Sequence, residues 1–425
     1  MNDMAVTDSA NIEERNRQAV EILRSNDRGG YNIPTAGLYP YQWNWDSAFA
    51  AWGWSEIDLD RAWTELDTLF KGQWSTGMVP HIIFHEVDEG YFPGPDVWGT
   101  HKSPQTSGIT QPPVAATIAR KLFEKNPEAG RAAVERLFTP MADWHRWFIE
   151  SRGESGAIAI THPWESGRDN ALDWEKAAEA IDTTYVGEYT RRDTSHVNPE
   201  MRPRKIDYDR YLALVYLGRD VGWDESKILE LSPFRVADVG MTFILLRACR
   251  DLAWLADQIG QPRVEIDQWI SYLERGCEQL WNEELGCYDS LDLKTGKLSG
   301  TKSVASFLCW YAGVEPRASK QSLEAVLDLA PYSIPSLDPT SSRFDPKRYW
   351  LGPTWPVVNS IVGLGLQEQS ETELAERIRK DTYEMILRTG FYEYFNPMTA
   401  AGEGGNNFTW TAAVWLAWVT KEQDK

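Results

Sequence analysis

The chain has 425 residues, of which 42% are hydrophobic and 25% are charged, and these proportions are typical of a globular protein with a large core. Its net charge of −20 argues against nucleic acid or an anionic membrane surface as partner, because the sequence has no basic stripe that would release counterions. The polar start of the chain and the lack of a long apolar run predict a cytoplasmic protein that does not cross a membrane.

A series of amphipathic helical segments with short connections runs through the chain, and convincing strand patterns are few. Helical periodicity covers the segments 10–26, 59–70, 131–151, 172–178, 205–221, 236–259, 264–281, 303–314, 319–329, 354–366, 371–388 and 408–419, and a further helix opens at 110–116. A hairpin-like insert at 281–298 joins two of these helices. Helix pairs that recur every ~40–50 residues indicate stacked αα units. We therefore predict an all-α toroid in which residues 1–425 form a single domain.

Cysteine and histidine lack the spacing of a metal site. The four cysteines are Cys249, Cys277, Cys287 and Cys309. They form no C-x-x-C pair, which favours small buried thiols in a reducing compartment. His81 and His85 are four residues apart but lack a helical context and a third ligand, so we expect ordinary hydrogen bonding rather than zinc binding. We accordingly expect the protein to need no metal and no cofactor.

The 21 tryptophans are unusually many, and several lie in polar segments that contain glycine. Aromatic faces among polar groups suit carbohydrate binding, although packing at the rim of a large helical fold explains any single tryptophan equally well. Asp46 follows one such segment and is either a helix N-cap or an acceptor for a sugar hydroxyl, and we favour the second role. The segment 72–108 has little helical signal, and its length predicts a lid or a substrate-lining loop.

The segment 160–170 ends in Trp-Glu-Ser-Gly-Arg-Asp-Asn, which is too polar and too irregular for a core helix. Glycoside hydrolysis needs one carboxylic acid that protonates the leaving oxygen and a second carboxylate across the sugar. Asp169 suits the first role because its neighbours Trp164 and Glu165 favour the protonated form. Its alternative role is the N-cap of the helical segment that follows.

The second carboxylate is either Glu393 or Glu403. Glu393 stands between two tyrosines in a segment that alternates aromatic and polar residues, and its alternative role is the solvent face of a short edge strand. Glu403 lies in a glycine-rich run that is typical of a flexible loop. We prefer Glu393.

Five motifs follow one another along the chain: Tyr39-x-x-Gln42-Trp43-x-Trp45-Asp46, Trp164–Asn170, Tyr349-Trp350-x-Gly352-Pro353-x-Trp355-Pro356, Tyr392–Pro397 and Phe408–Ala412. In this order they resemble glycoside hydrolase family 63, and in particular its short bacterial mannosylglycerate and glucosylglycerate hydrolases. The resemblance implies an (α/α)₆ barrel and an inverting α-glycosidase, with Asp169 as general acid and Glu393 as general base.

The resemblance also implies a set of substrate-binding residues. Those expected to hold the non-reducing sugar are Gln42, Trp43, Asp46 and Arg210. Those expected to line the aglycone subsite are Tyr91, Trp350 and Trp355. The other substrate-binding candidates are Tyr39, Gln111, Trp164, Glu165, Gly167, Arg168, Tyr349 and Gly352.

The expected function is hydrolysis of a small α-glucoside or α-mannoside, with glucosylglycerate and mannosylglycerate as the preferred substrates. A trehalase- or kojibiose-type disaccharidase on the same toroid is the alternative enzyme. A sugar-binding toroid without turnover is the alternative from another class. The partner is thus a small carbohydrate, and the sequence leaves homo-oligomer formation open.

Overall fold

The computed structural model describes residues 2–86, 88, 90–314 and 319–421. In this part of the chain an outer ring of helices surrounds an inner ring. Six inner helices contact one another in a closed ring. They are Asn44–Trp54, Ala115–Lys125, Val239–Ile259, Leu308–Ala312, Pro356–Glu368 and Thr409–Val414. Outer helices cover them at Leu59–Phe70, Pro127–Arg152, Val264–Gln279, Ser319–Leu327, Thr372–Thr389 and Asn2–Ser25. The fold is therefore an (α/α)₆ barrel, as the motifs imply.

The ring closes through the two ends of the chain, because the first helix, Asn2–Ser25, packs on the last inner helix, Thr409–Val414. Most residues of the inner helices are buried, and every residue of Asn44–Trp54 is buried. The outer helices are amphipathic. In Leu59–Phe70, for example, apolar residues at helical spacing face the inner ring and Asp60 faces solvent, whereas Glu65 is buried.

Short elements fill a long insertion between the outer helix Pro127–Arg152 and the inner helix Val239–Ile259. Its helices are Glu175–Ala178, Asp193–His196, Lys205–Asp220 and Glu225–Leu231, with 3₁₀ turns at Pro163–Ser166, Leu172–Trp174 and Pro199–Met201. Elsewhere the chain has a 3₁₀ turn at Val304–Phe307 and a π-helical turn at Trp415–Val419. The insertion brings residues far from any inner helix to the mouth of the barrel.

Small antiparallel sheets decorate the barrel, so strands are more numerous than the sequence predicts. Three strands, Gln42–Trp43, Ile82–Phe84 and Gln105–Thr106, pair in that order. A five-stranded sheet has the order Lys297–Leu298, Leu291–Asp292, Val236–Ala237, Ala157–Ile160 and Gly153–Glu154. Two hairpins pair Trp281–Asn282 with Cys287–Tyr288 and Tyr392–Phe395 with Gly402–Asn406.

The sheets bear on two predictions. The predicted hairpin-like insert at 281–298 is confirmed, because its segments form paired strands. The predicted loop 72–108 is only partly irregular, because two of its segments join the three-stranded sheet and Pro95–Trp98 forms a helical turn. These strands are two or three residues long, which is too short to leave a period-2 pattern in the sequence.

Two further observations concern the whole described chain. The four cysteines are free thiols buried in the core. Among the described residues, no helix combines the length and the apolar character that a membrane span requires.

Candidate active site

A cavity opens at the end of the barrel where the inner helices begin, and it holds about 820 Å³ of space including its mouth. Segments that precede the inner helices, or form their first turns, supply much of its wall, and the long insertion supplies the rest. The predicted site residues that line it are Tyr39, Trp43, Asp46, Tyr91, Gln111, Trp164, Gly167, Asp169, Tyr349 and Glu393. The structure thus brings both proposed catalytic carboxyl groups into one cavity.

The loop 160–170 is shaped by a 3₁₀ turn and a left-handed glycine. The turn Pro163–Ser166 begins at His162, whose ring nitrogen accepts a hydrogen bond from the backbone N–H of Trp164 at 3.0 Å. Gly167 ends the turn with φ +70°, and a Cβ at this position would lie 2.7 Å from the Trp45 ring. Only glycine satisfies both conditions, and the reversal that it allows turns Asp169 towards the cavity.

Glu165 and Arg168 do not line the cavity, although both are among the substrate-binding candidates. Arg152, at the end of an outer helix, donates to Glu165 at 2.7 Å, and the backbone N–H of Thr161 donates to the same carboxylate. Arg168 donates to Asp238 at 2.6 Å. Both side chains are buried in ion pairs on the far side of the loop, so they fix its position instead of contacting substrate.

Asp169 holds its proton to near-neutral pH. The pKa of Asp169 is raised to about 7, chiefly by burial and to a smaller extent by the charges of Glu393 and Asp193, while the positive charge of Arg202 and a backbone hydrogen bond lower it. An apolar and like-charged setting is thus present, but the like charges are those of Glu393 and Asp193 rather than that of Glu165. The alternative role of Asp169 fails. The turn Leu172–Trp174 begins at Ala171 with no side-chain cap, so Asp169 is not its N-cap.

Glu393 lies on the strand Tyr392–Phe395 with its carboxylate 1% exposed, so it does not occupy the solvent face of an edge strand. Three groups donate to the carboxylate: the Tyr39 hydroxyl at 3.0 Å, the Arg202 guanidinium at 3.3 Å and the Gly405 backbone N–H at 3.1 Å. These contacts orient the carboxylate and stabilise negative charge on it. Glu403 lies on the partner strand opposite Tyr394 and does not line the cavity.

Arg202 contacts several of the residues that line the cavity. Its Nε donates to Asp193 at 3.1 Å, its Nη2 donates to the Tyr39 hydroxyl at 2.6 Å, and its guanidinium lies 4.1 Å from the Tyr349 ring centre. Burial lowers the pKa of Arg202, but its interactions with Tyr349, Tyr39 and Glu393 outweigh burial and raise that pKa well above its ordinary value. The guanidinium therefore remains charged inside the cavity.

Asp46 lies in the first turn of the inner helix Asn44–Trp54 and is not its N-cap, which is Trp43 without a side-chain cap. Burial and the charge of Glu393 raise the pKa of Asp46 well above its ordinary value. The side chain faces the cavity beside the indoles of Trp43 and Trp45. A carboxyl group in this position can both donate to and accept from sugar hydroxyls.

Five other predicted residues lie outside the cavity wall: Gln42, Arg210, Trp350, Gly352 and Trp355. Gln42 bonds to His85 at 2.7 Å and to Ser47 at 3.0 Å. Arg210 borders a small separate cavity behind the loop 160–170, 3.9 Å from Asp207.

The other three, Trp350, Gly352 and Trp355, support the wall from behind. The indoles of Trp350 and Trp355 stack on each other at 3.8 Å and are buried. A Cβ on Gly352 would lie 2.3 Å from a backbone oxygen of Asp345, so this glycine permits a close approach of two chain segments. The aromatic and glycine residues of this motif thus serve packing, and only Tyr349 reaches the cavity.

Several cavity residues were not predicted as site residues. They are Pro34, Leu38, Trp45, His81, Ile82, Phe92, Pro93, Trp98, Arg192, Asp193, Arg202, Tyr208, Phe408 and Trp410. Trp45, Phe408 and Trp410 belong to the quoted motifs, so a signal for them existed. Arg192, Asp193 and Arg202 come from a part of the insertion that lies outside the five quoted motifs.

The histidine pair makes ordinary hydrogen bonds. His81 Nδ1 lies 2.6 Å from the Ser107 hydroxyl and His85 Nε2 lies 2.7 Å from Gln42. Burial lowers the pKa of His81 well below its ordinary value and lowers that of His85 to about 4. Within the described ranges, no cluster of three or more His, Cys, Asp or Glu side chains is arranged to hold a metal ion.

Residues 39–411 match the family model of the mannosylglycerate hydrolase MGH1-like glycoside hydrolase domain. The chain belongs to this family. The resemblance inferred from the five motifs is thereby confirmed, and the protein is a glycoside hydrolase rather than a sugar-binding toroid without turnover.

Individual relatives match nearly the whole of this chain. A mannosylglycerate hydrolase of Thermus thermophilus is 47% identical over 413 residues, which are 95% of this chain and 100% of the relative. A glucosylglycerate hydrolase of Mycolicibacterium hassiacum is 33% identical, over 95% of this chain and 97% of the relative. The crystal structure of a GH63 mannosylglycerate hydrolase from Thermus thermophilus with Tris and D-glycerate superposes with a TM-score of 0.92 at 47% identity, covering 95% of this chain and 99% of that one.

Proposed function

We propose that the protein hydrolyses a small α-glycoside with inversion, and that Asp169 is the general acid and Glu393 the general base. The observation that carries the proposal is the difference between two carboxyl groups in one cavity. Burial raises the pKa of Asp169 to about 7, whereas Glu393 is held by Arg202, Tyr39 and a backbone N–H. One group is prepared to donate a proton and the other to accept one.

The reaction follows from these roles. Asp169 donates its proton to the glycosidic oxygen as the bond between that oxygen and the anomeric carbon breaks. A water molecule attacks the anomeric carbon from the opposite face and transfers a proton to Glu393. The products are the free sugar with inverted configuration and the alcohol form of the aglycone. Asp46, Trp43 and Gln111, which line the cavity, are proposed to hold the sugar.

We further propose that the aglycone is glycerate and that the sugar is mannose or glucose. Arg192 and Arg202 line the cavity, and a carboxylate on the aglycone can pair with such guanidinium groups. The raised pKa values of Asp46 and Asp169 reduce the negative charge that an anionic aglycone would meet. The names of the relatives support the same substrates, mannosylglycerate first because of the higher identity. Trehalose or kojibiose is the alternative, and neither carries a charge for these cations.

A panel of mannosylglycerate, glucosylglycerate, trehalose and kojibiose tests this proposal. We expect turnover of one or both glycerate glycosides, with a KM that rises with salt because salt screens the attraction between an anionic substrate and the cations of the cavity. Asp169→Asn and Glu393→Gln should each reduce kcat/KM at least ~10²-fold, the usual range for general acid–base catalysis. Preference for trehalose or kojibiose, or near wild-type turnover by either variant, would contradict the proposal.

A further inference from the structure

The backbone carbonyl of Asp169 accepts two side-chain hydrogen bonds. The Tyr211 hydroxyl and the Trp174 indole N–H each donate to it at 3.0 Å. A carbonyl oxygen has two lone pairs, so both are used by rigid aromatic side chains. The backbone N–H of Asp169 interacts with the carboxyl group of the same residue. The peptide groups before and after this side chain therefore both take part in hydrogen bonds.

The two donors come from different parts of the insertion and each is held in its own way. Tyr211 lies on the helix Lys205–Asp220, where its ring packs 5.4 Å from Trp164. The Trp174 ring lies under the Arg168 guanidinium at 5.0 Å. Arg168 is paired with Asp238, the N-cap of the inner helix Val239–Ile259. The carbonyl of Asp169 is thus connected to the frame of the barrel.

Neither donor reaches the cavity in which the substrate is proposed to bind. Tyr211 and Trp174 are 3% and 2% exposed, and both border the small cavity behind the loop instead. They can therefore influence the reaction only through Asp169 or through the stability of the fold. These two effects are separable by experiment.

We propose that Tyr211 and Trp174 are positioning residues that fix the direction of the Asp169 carboxyl group by holding its backbone carbonyl from two sides. This inference rests on the proposed role of Asp169 as general acid. Proton donation needs the acid within about 2.6–3.2 Å of the leaving oxygen, and a displacement of about 1 Å can reduce a rate 10²-fold. Binding of the sugar does not need the same accuracy at this carboxyl group, so kcat should change and KM should not.

The test compares two leaving groups on the same sugar. A glycerate glycoside needs a proton from the acid, whereas the matching α-glycosyl fluoride does not, because fluoride leaves as an anion while water still attacks and transfers its proton to Glu393. For Tyr211→Phe, which keeps the ring and removes the hydroxyl, we expect kcat on the glycerate glycoside to fall about 10-fold or more. KM and turnover of the fluoride should stay within about twofold. Trp174→Phe should behave in the same way.

Tyr185→Phe is the matched control, because the Tyr185 hydroxyl also donates to a backbone carbonyl, that of Ala213, at 3.2 Å on the same helix. Tyr185 is 55% exposed and does not line the cavity, so both activities should be unchanged. Thermal unfolding of each variant checks the fold. If Trp174→Phe does not fold, Tyr211→Phe decides alone, since it removes only one oxygen atom.

Equal losses on both substrates, or no loss on either, by Tyr211→Phe would overturn the inference. Asp169→Asn in the same two assays separates this failure from that of the proposed function. If Asp169 is the acid, Asp169→Asn loses the glycerate glycoside selectively whatever Tyr211→Phe does. If Asp169→Asn spares both substrates or loses both equally, the proposed function fails and the positioning role fails with it.

Discussion

Arg202 contacts both carboxylate oxygens of Glu393 at 3.3 Å, and the same guanidinium opposes the burial that raises the pKa of Asp169. One cation thus holds the proposed base and adjusts the proposed acid. Asp193 and Tyr39 hold this guanidinium in turn. The two proposed catalytic groups are therefore coupled through a residue outside the recognised motifs.

If Asp169 is the general acid, its pKa should determine the alkaline limit of activity. Because burial raises this pKa to about 7, the acid is protonated below pH 7 and loses its proton above it. We expect kcat/KM for the glycerate glycoside to fall about tenfold per pH unit above that value. A pH profile of kcat/KM measures this alkaline limb directly. A decline that begins below pH 5 would contradict the role of Asp169 as the acid.

Replacement of Arg202 should move this limb. In Arg202→Met the positive charge that lowers the pKa of Asp169 is lost, so the alkaline limb should shift to higher pH while the maximal rate falls ~10²-fold or more. Arg202→Lys keeps the charge but cannot reproduce the planar contacts to Asp193 and Glu393. The maximal rate of Arg202→Lys should fall, but the pH above which its kcat/KM declines should stay near that of the wild type. A limb that stays in place in Arg202→Met would contradict the coupling.

Gly167→Ala should damage both stability and activity. The positive φ costs an alanine about 1–2 kcal/mol, and the contact with Trp45 adds about 1–3 kcal/mol of overpacking. Gly187→Ala is the control, because Gly187 also has a positive φ, of 76°, but no atom within 4 Å of an added Cβ. Urea unfolding should show the larger loss for Gly167→Ala, with reduced kcat. Equal losses would mean that the Trp45 contact is unimportant.

The buried pair of Arg152 and Glu165 should matter for stability. Arg152→Met leaves the buried Glu165 without its cation, which costs about 3–5 kcal/mol of unfolding free energy. The exposed pair of Arg388 and Glu384 provides the comparison, since Arg388→Met should cost less than about 1 kcal/mol. Chemical denaturation measures both, and similar small losses would show that the loop 160–170 does not depend on this anchor.

The barrel could be predicted because its helix pairs repeat along the chain, and the helical period survives in nearly every inner and outer helix. Asp169 and Glu393 could be singled out because each lies in a short polar and aromatic motif, and both line the cavity. Glu165 and Arg168 lie in the same motif, but their side chains point to buried partners instead. The sequence of a loop does not show which of its charged residues face outwards.

Other parts of the site depend on long-range contacts that no local pattern records. Arg202 contacts Glu393 across 191 positions of sequence, from a part of the insertion that lies outside the five motifs. Trp350 and Trp355 stack on each other behind the wall, although their polar surroundings in the sequence suggest exposed sugar platforms. Tertiary packing, not local composition, decides which indoles line the cavity.

The anomer first released from a glycerate glycoside tests the central claim most directly. Proton NMR at early times, with the wild-type enzyme and with Asp169→Asn and Glu393→Gln, reports both the configuration of the product and the need for the two carboxyl groups. With inversion, the β-anomer of the sugar appears first and then mutarotates, and each variant releases sugar at least ~10²-fold more slowly. Initial release of the α-anomer, or wild-type rates in either variant, would contradict the account.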